Sequence, residues 1–312
     1  MLDAALRNGV ALEYSCRTGR CSSCKGKVLA GSSIALHDEL GLDQREREGG
    51  WVLSCVRTPT SDMSIEASDL GGVQLFPART LPCRIQSLER MSADVMRVEL
   101  RLPPAGGLAW HAGQYVDVIG HGGLRRSYSV ANAPGAGGPI ELHIRQVPGG
   151  AMSDYWFGQA KPNDLLRLNG PLGTFFLRES AGIDLVFLAT GTGIAPVKAI
   201  LESLGTLPQE QQPRSIAVYW GGRTPSDLYW DPAALDVPHR FVPVLSRADA
   251  DWSGARGHVQ QALLADAPEL SRTRVYACGS DTMIHGARAQ LMTAGLPGQR
   301  FHSDAFVCSA AV

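Results

Sequence analysis

The sequence predicts a multi-domain chain: a small α+β unit, then an antiparallel β-barrel, then an α/β unit with a parallel sheet. Three observations predict it. Four of the seven cysteines fall in the first 55 residues. Six short strand-like runs, parted by Gly- and Pro-rich turns, fill residues 81–177. From 182 to 312 strand and helix patterns alternate. At 312 residues the chain is also too long for one small core.

The first unit covers residues 1–70. Leu2, Ala5, Leu6 and Val10 recur at helical spacing, so a short amphipathic helix ends near Asn8-Gly9. A loop with Cys16, Cys21 and Cys24 follows, and Lys27-Val28-Leu29 and Met63–Ala67 read as short strands. Asp69–Thr80, with Gly71-Gly72 and Pro77, is a linker. In the second unit, 81–177, the strands are Arg84–Glu89, Val95–Leu102, Tyr115–Ile119, Arg126–Val130, Ile140–Arg145 and Leu165–Asn169, with a helix opening inside Ser153–Gly158. Six strands at that spacing predict a small barrel. In the third unit, 182–312, Asp184–Ala189, Ser215–Trp220, Arg240–Leu245 and Val275–Cys278 read as buried strands. Pro196–Leu204, His258–Ala265 and Thr282–Ala294 read as helices between them. That alternation implies a doubly wound parallel sheet with crossover connections.

Composition excludes several function classes. Hydrophobic residues make up 44% and charged residues 19%, an ordinary globular balance. A net charge of −1 offers nothing to nucleic acid or an anionic membrane. The longest apolar runs, such as Leu185–Ala189, fall far short of the roughly 20 residues that span a bilayer. No basic region, apolar run and cleavage site opens the chain, so the expected location is the cytoplasm. No G-x-S-x-G or H-E-x-x-H occurs, and no acid–base triad is evident.

Cys16-Arg-Thr-Gly-Arg-Cys21-Ser-Ser-Cys24 is C-x4-C-x2-C, and Cys55 stands downstream. This is the plant-type 2Fe–2S spacing. A tight loop supplies three thiolates and a distant strand end the fourth. Gly19 and the serines keep the loop compact, so backbone N–H groups can face the sulfurs and tune the potential. Zinc or unrelated buried cysteines are the competing readings, but zinc favours paired C-x2-C units. Cys83 and Cys308 stand outside the pattern and read as buried or incidental thiols.

Arg125-Arg126-Ser127-Tyr128-Ser129 suits a flavin. Arg126 can pair with a phosphate, Tyr128 can stack on an isoalloxazine face, and Ser129 can hydrogen-bond near N5. An edge strand with an exposed arginine reads the same. Gly149-Gly150-Ala151-Met152-Ser153 is either an anion site at a helix N-terminus or a simple turn with Ser153 as N-cap. Thr190-Gly191-Thr192-Gly193 lies between a strand and a helix that begins near Pro196, a glycine turn that admits a dinucleotide pyrophosphate. Pro196 replaces the third glycine of the common fingerprint, and no Gly-Lys-Ser/Thr of a P-loop follows. The second strand ends Trp220-Gly221-Gly222-Arg223, without an acid for a ribose hydroxyl. Arg223 and Arg247 are either adenosine-phosphate contacts or solvated surface arginines. Tyr276–Met283 closes the fourth strand and places Cys278 either near a reacting nicotinamide or in the core as a thiol.

With these pieces in order, the chain resembles the ferredoxin–NAD(P)H reductase-like flavoproteins that carry an N-terminal plant-type ferredoxin domain. The cysteine loop, Arg126–Ser129, Gly170–Phe176, Ala189–Pro196, Tyr276–Ser280 and the tail Phe301–Val307 carry the likeness. The resemblance implies a β-grasp ferredoxin domain; the two strands expected before the Leu2–Val10 helix are missing, either because the start is read late or because the domain, truncated, lacks a hairpin. It implies an FAD-binding barrel and an NAD(P)H-binding α/β domain. Arg126, Ser127, Tyr128 and Ser129 would hold FAD, and Gly150, Met152 and Ser153 would cover its pyrophosphate. Thr190, Gly191, Thr192, Gly193, Cys278 and Gly279 would surround NAD(P)H, with NADH favoured. Phe306 would shield the flavin face opposite Tyr128 until nicotinamide displaces it. The tail segment that holds Phe306 shows no helical or strand period of its own, and packing in a hydrophobic seam is the competing account for Phe306.

The expected activity is a reductase. A hydride passes from NADH to the flavin, and single electrons then pass through the 2Fe–2S cluster to a partner protein. Ser129, Cys278 and Phe306 would stand at the reacting centre. Within the family the likeness points to reductases that serve an iron–sulfur dehydrase in deoxysugar synthesis. A reductase component of a ring- or alkyl-hydroxylating oxygenase carries the same motifs. A non-catalytic redox sensor or scaffold is the alternative of another class.

Overall fold

The computed structural model describes residues 1–104, 107–135 and 137–306, so Cys308 lies outside the described residues. The first unit opens with α1 (Leu2–Arg7). Next come β1 (Lys25–Ala30), β2 (Ser33–Ala35), α2 (Gln44–Glu48), β3 (Trp51–Leu53), β4 (Arg57–Pro59) and β5 (Ser64–Ala67). Asp43 caps α2 in a full capping box with Glu46. The order β3-β1-β5 makes an antiparallel sheet, and β2 pairs with β4 beside it. Leu2, Leu12, Tyr14, Leu42, Leu53 and Val56 form the core under the thiol loop, with Cys24 among them.

The second unit contains β6 (Arg79–Arg90), β7 (Val95–Arg101), β8 (Tyr115–Ile119), β9 (Arg125–Ser129), β10 (Ile140–Arg145) and β11 (Leu165–Leu172). Their order is β10-β7-β6-β11-β8-β9, all antiparallel. A bridge from Val130 to Leu142 brings the two edges together, so the sheet nearly closes. Valines, leucines and isoleucines at alternate positions fill the inside. The helix α3 (Ala151–Asp154) runs into a π turn over Tyr155–Gln159 and pushes Met152 and Trp156 into one end of that core.

The third unit holds β12 (Asp184–Thr190), α4 (Ile194–Leu204), β13 (Ser215–Gly222), β14 (Arg240–Leu245), β15 (Ala255–Arg256), α5 (Val259–Ala265), β16 (Thr273–Ser280), α6 (Asp281–Thr293) and β17 (Phe301–Phe306). The sheet runs β15-β14-β13-β12-β16-β17 with every pair parallel. Leu185, Phe187 and Ala189 face the α4 side; Val186 and Leu188 face α5 and α6. A strand buried on both faces reads as the unbroken apolar run seen in the sequence. Strand order reverses beside β12, and the carboxyl ends of β12 and β16 at such a reversal are where sheets of this kind take ligands.

The tail corrects the sequence reading: Phe301–Phe306 is a strand, paired with β16 from Val275↔Phe301 to Ser280↔Phe306. The strands β2, β3 and β4 also went unread. Each has three residues, too few to show a period of two.

A polar network joins the second unit to the third. Burial lowers the His143 pKa and keeps its ring neutral at pH 7. The hydrogen-bond network assigns its tautomer: Nε2–H donates to Glu141 (2.8 Å) and Nδ1 accepts from the Tyr229 hydroxyl (3.1 Å). Lys198 of α4 approaches the same Glu141 oxygen at 3.2 Å and donates to the Ala131 carbonyl at 3.1 Å. Burial alone would raise the Glu141 pKa, but the His143 hydrogen bond and the Lys198 charge outweigh it and hold it at about 2. A depressed carboxyl stabilises the fold above the unfolded-state value near 4.5 and loses that contribution as pH falls through about 2. Glu141→Gln is therefore expected to cost roughly 2 kcal/mol at neutral pH. The gap to wild type should close in acid, as urea unfolding across that pH range will show.

Candidate functional site

The thiol loop brings four sulfurs together as two pairs. Cys24 Sγ lies 3.1 Å from Cys55 Sγ, and the Cys21 thiol hydrogen-bonds Cys16. The bond from Cys21 lowers Cys16 to about 5, and the bond from Cys24 lowers Cys55. Cys21 and Cys24 are pushed up by the same contacts and by burial. Backbone N–H groups of Cys16 and Thr18 point at sulfur at 3.4 Å, and those of Gly19, Arg20 and Ser23 add to the set. Gly19 makes this possible. Its φ is +75°, and a Cβ there would stand 2.4 Å from the Asp38 carbonyl oxygen. Among the described residues no three His, Cys, Asp or Glu side chains form a cage for a single metal ion. Two thiol pairs bathed in amides instead fit two irons with two protein ligands each.

The strand β9 carries the arginine–tyrosine segment, and its register against β8 runs Tyr115↔Ser129 to Ile119↔Arg125. Arg126 makes one hydrogen bond, to the Arg125 carbonyl (2.7 Å), and no ion pair among the described residues. An unpaired cation fits a phosphate group. Trp156 Nε1 donates to the Tyr128 hydroxyl (3.1 Å) with the rings edge-to-face, so Tyr128 is held in place from below. Burial raises Tyr128 to about 12, and it stays neutral. Ser127 donates to Asp117 at 2.6 Å. Gly150, not Ser153, is the N-cap of α3, and Ser153 Oγ accepts the Val147 N–H at 2.9 Å. The Met152 side chain packs in the barrel core.

The glycine turn sits at this reversal of strand order. Gly191–Gly193 forms one 3-10 turn before α4. Trp220 Nε1 donates to the Gly191 carbonyl (2.9 Å), and Thr190 Oγ1 accepts the Ser280 N–H (3.0 Å). A Cβ on Gly193 would lie 2.2 Å from the Cys278 carbonyl oxygen, so only glycine lets the turn pack on β16. Arg223 and Arg247 are exposed neighbours at the ends of β13 and β14, joined by the Arg247 N–H to the Arg223 carbonyl at 2.9 Å. The Cys278 thiol is fully buried, which pushes its pKa up. Gly279 follows it, and Phe306 ends β17, half-buried against the core that includes Cys278.

Two residues of this centre were missed in the sequence. Asp304 is buried beside Cys278 (Sγ to Oδ2 3.9 Å) and accepts hydrogen bonds from Ser129 (3.4 Å) and Ser15 (2.5 Å). Burial pushes its carboxyl up to about 6. Arg145 binds Asp94 (2.8 Å) and Asp227 (2.7 Å), and its third nitrogen rests against Gly191. The one available signal was an acid two residues before Phe306, which the two-residue period of a strand puts on the same face.

Three families match in chain order: 2Fe-2S iron-sulfur cluster binding domain over residues 1–60, oxidoreductase FAD-binding domain over 82–177, and oxidoreductase NAD-binding domain over 187–289. The chain is 41% identical to the CDP-6-deoxy-L-threo-D-glycero-4-hexulose-3-dehydrase reductase of Yersinia pestis, over 99% of this chain and 93% of that one. It is 32% identical to a terephthalate 1,2-dioxygenase reductase component of Comamonas, over 99% and 92%. Among solved structures it is similar to the Amycolatopsis cytochrome P450 reductase GcoB, with a TM-score of 0.79, 33% identity and coverage of 98% and 93%.

Two substitutions probe the site. Gly193→Ala is expected to drive the turn off β16 and weaken NADH binding roughly tenfold or more, with bound flavin retained; calorimetric titration measures the first and absorbance the second. Cys55→Ala is expected to remove most of the iron, about two per chain in the wild type, as a colorimetric iron assay will report.

Proposed function

We propose a function from the family to which this chain belongs, the ferredoxin reductase-like flavoproteins that join a 2Fe–2S domain to FAD- and NAD-binding domains. The chain is an NAD(P)H-dependent oxidoreductase. When bound, FAD accepts a hydride from the nicotinamide, and the 2Fe–2S cluster takes up electrons one at a time. In our reading the electrons go to an iron–sulfur dehydrase of deoxysugar synthesis, as for a CDP-6-deoxy-delta-3,4-glucoseen reductase. The full-length 41% identity to a dehydrase reductase carries this reading over the oxygenase one, which rests on relatives at 32%. Oxidoreductase relatives along the whole chain leave a non-catalytic sensor without support. The setting is the cytoplasm, where thiols stay reduced.

The chain's own residues have distinct tasks. Arg126 neutralises a flavin phosphate, and the amides at Gly150, Met152 and Ser153 cover the pyrophosphate at the start of α3. Tyr128, fixed by Trp156, presents its ring to one flavin face, and Ser129 reaches toward N5. The turn Thr190–Gly193 admits the dinucleotide pyrophosphate, with Arg145 against Gly191 and Arg223 and Arg247 at the adenosine end. Cys278 and Gly279 border the nicotinamide, and Phe306 holds its place until it arrives. Cys16, Cys21, Cys24 and Cys55 ligate the irons.

Anaerobic titration with NADH and with NADPH, followed by absorbance, tests the reading. NADH should bleach flavin and cluster together, and a purified dehydrase should re-oxidise them. No re-oxidation by the dehydrase, with re-oxidation by an oxygenase component, would move the acceptor to the other class. Phe306→Ala should tighten NAD+ binding several-fold, an effect of about 1 kcal/mol for one lost aromatic contact. Unchanged affinity with a lowered melting temperature would make Phe306 a packing residue only.

A further inference from the structure

Residues 13–16 run from the core of the first unit to the thiol loop, and they touch both other units. Tyr14 and Thr174 exchange bonds, from Tyr14 N–H to Thr174 Oγ1 (2.9 Å) and from Thr174 N–H to the Tyr14 carbonyl (3.0 Å). The Tyr115 hydroxyl donates to the Ser15 carbonyl at 2.8 Å. Glu13 meets Arg178 at 3.3 Å and His302 at 3.5 Å. Ser15 differs from its neighbours. It is 2% exposed, stands next to Cys16, and its hydroxyl donates to Asp304 Oδ1 at 2.5 Å. The other oxygen of Asp304 accepts from Ser129, at the end of the flavin strand. One buried carboxylate thus ties the thiol loop to the strand assigned to the flavin.

We infer that Ser15 is a positioning residue for the electron transfer between the flavin site and the thiol loop. This rests on the function proposed above. A hydride carries two electrons and one proton. The two electrons would cross one at a time, the first leaving the cluster for the acceptor protein before the second arrives, and the proton would go to solvent. Electron transfer falls steeply with separation, so the crossing depends on how firmly the loop is held. The hydride step does not, because its geometry is set at the ends of β9, β12 and β16. Thr174 and Tyr115 donate to main-chain carbonyls of the segment, those of Tyr14 and Ser15, and those bonds keep the fold when the Ser15 side chain changes. The Ser15 hydroxyl sets the last interval before Cys16. Its removal leaves a buried carboxylate short of a donor.

The test compares wild type, Ser15→Ala and Ser15→Thr as purified holoproteins. Stopped-flow mixing with NADH reads flavin bleaching and cluster reduction separately. Hydrogen–deuterium exchange reads residues 12–18 in the absence of NADH. Ser15→Ala should bleach flavin at the wild-type rate, reduce the cluster roughly tenfold more slowly, as loss of a bond to a charged group allows, and exchange faster in the segment. Ser15→Thr should restore both. Equal cluster reduction in wild type and Ser15→Ala, or unchanged exchange, would overturn the inference. Loss of iron from Ser15→Ala would also overturn it, by making Ser15 a scaffold of the loop. Failure of NADH to bleach the wild-type flavin would instead sink the function on which the inference rests.

Discussion

The parallel register of three strands sets the centre of this molecule. Ala189 of β12 pairs with Cys278 of β16, and Cys278 pairs with Asp304 of β17. That row puts a glycine turn, a thiol and a carboxylate at one level, where strand order reverses. A shift of one residue in any pair would turn Cys278 or Asp304 to the opposite face. Everything else docks on this row. Ser129 arrives from the barrel, Ser15 from the thiol loop, and Gly193 packs against the Cys278 carbonyl.

The joints between units are polar where the cores are not. Glu141, His143, Lys198 and Tyr229 link barrel to sheet, and Glu13, Arg178 and His302 link the first unit to the third. Buried ion pairs add little net stability, because desolvation offsets much of their attraction. Their geometry is demanding, however, and it admits one relative placement of the units. For a chain that must hold several redox groups at set separations, such placement matters more than an extra increment of stability. The same logic explains Arg145, a barrel residue that reaches Asp227 across the joint and lies on the glycine turn.

Much of the fold was legible because the elements are strongly periodic. Ile140–Arg145 and Tyr115–Ile119 matched to the residue, and the buried strands of the third unit announced themselves as apolar runs. The tail was illegible for a physical reason. In β17 a buried position carries Asp304, so the alternation that marks a strand breaks where the site needs a carboxylate. Ser153 misled in a related way. It has the chemistry of an N-cap, yet Gly150 takes that place and Ser153 serves the turn before it.

The sequence by itself determined the chemistry: four thiols at a cluster spacing, an arginine–tyrosine segment on a strand, and a glycine turn before a helix. These signals are local, carried by residues close enough in the chain for spacing to reveal their task. Only the tertiary structure decided how they meet. Ser15 and Asp304 are 289 residues apart, and Ser129 and Asp304 are 175 apart. No spacing rule joins such pairs. They come together because strand register and domain docking, both set by burial of distant apolar faces, leave one carboxylate where three units meet.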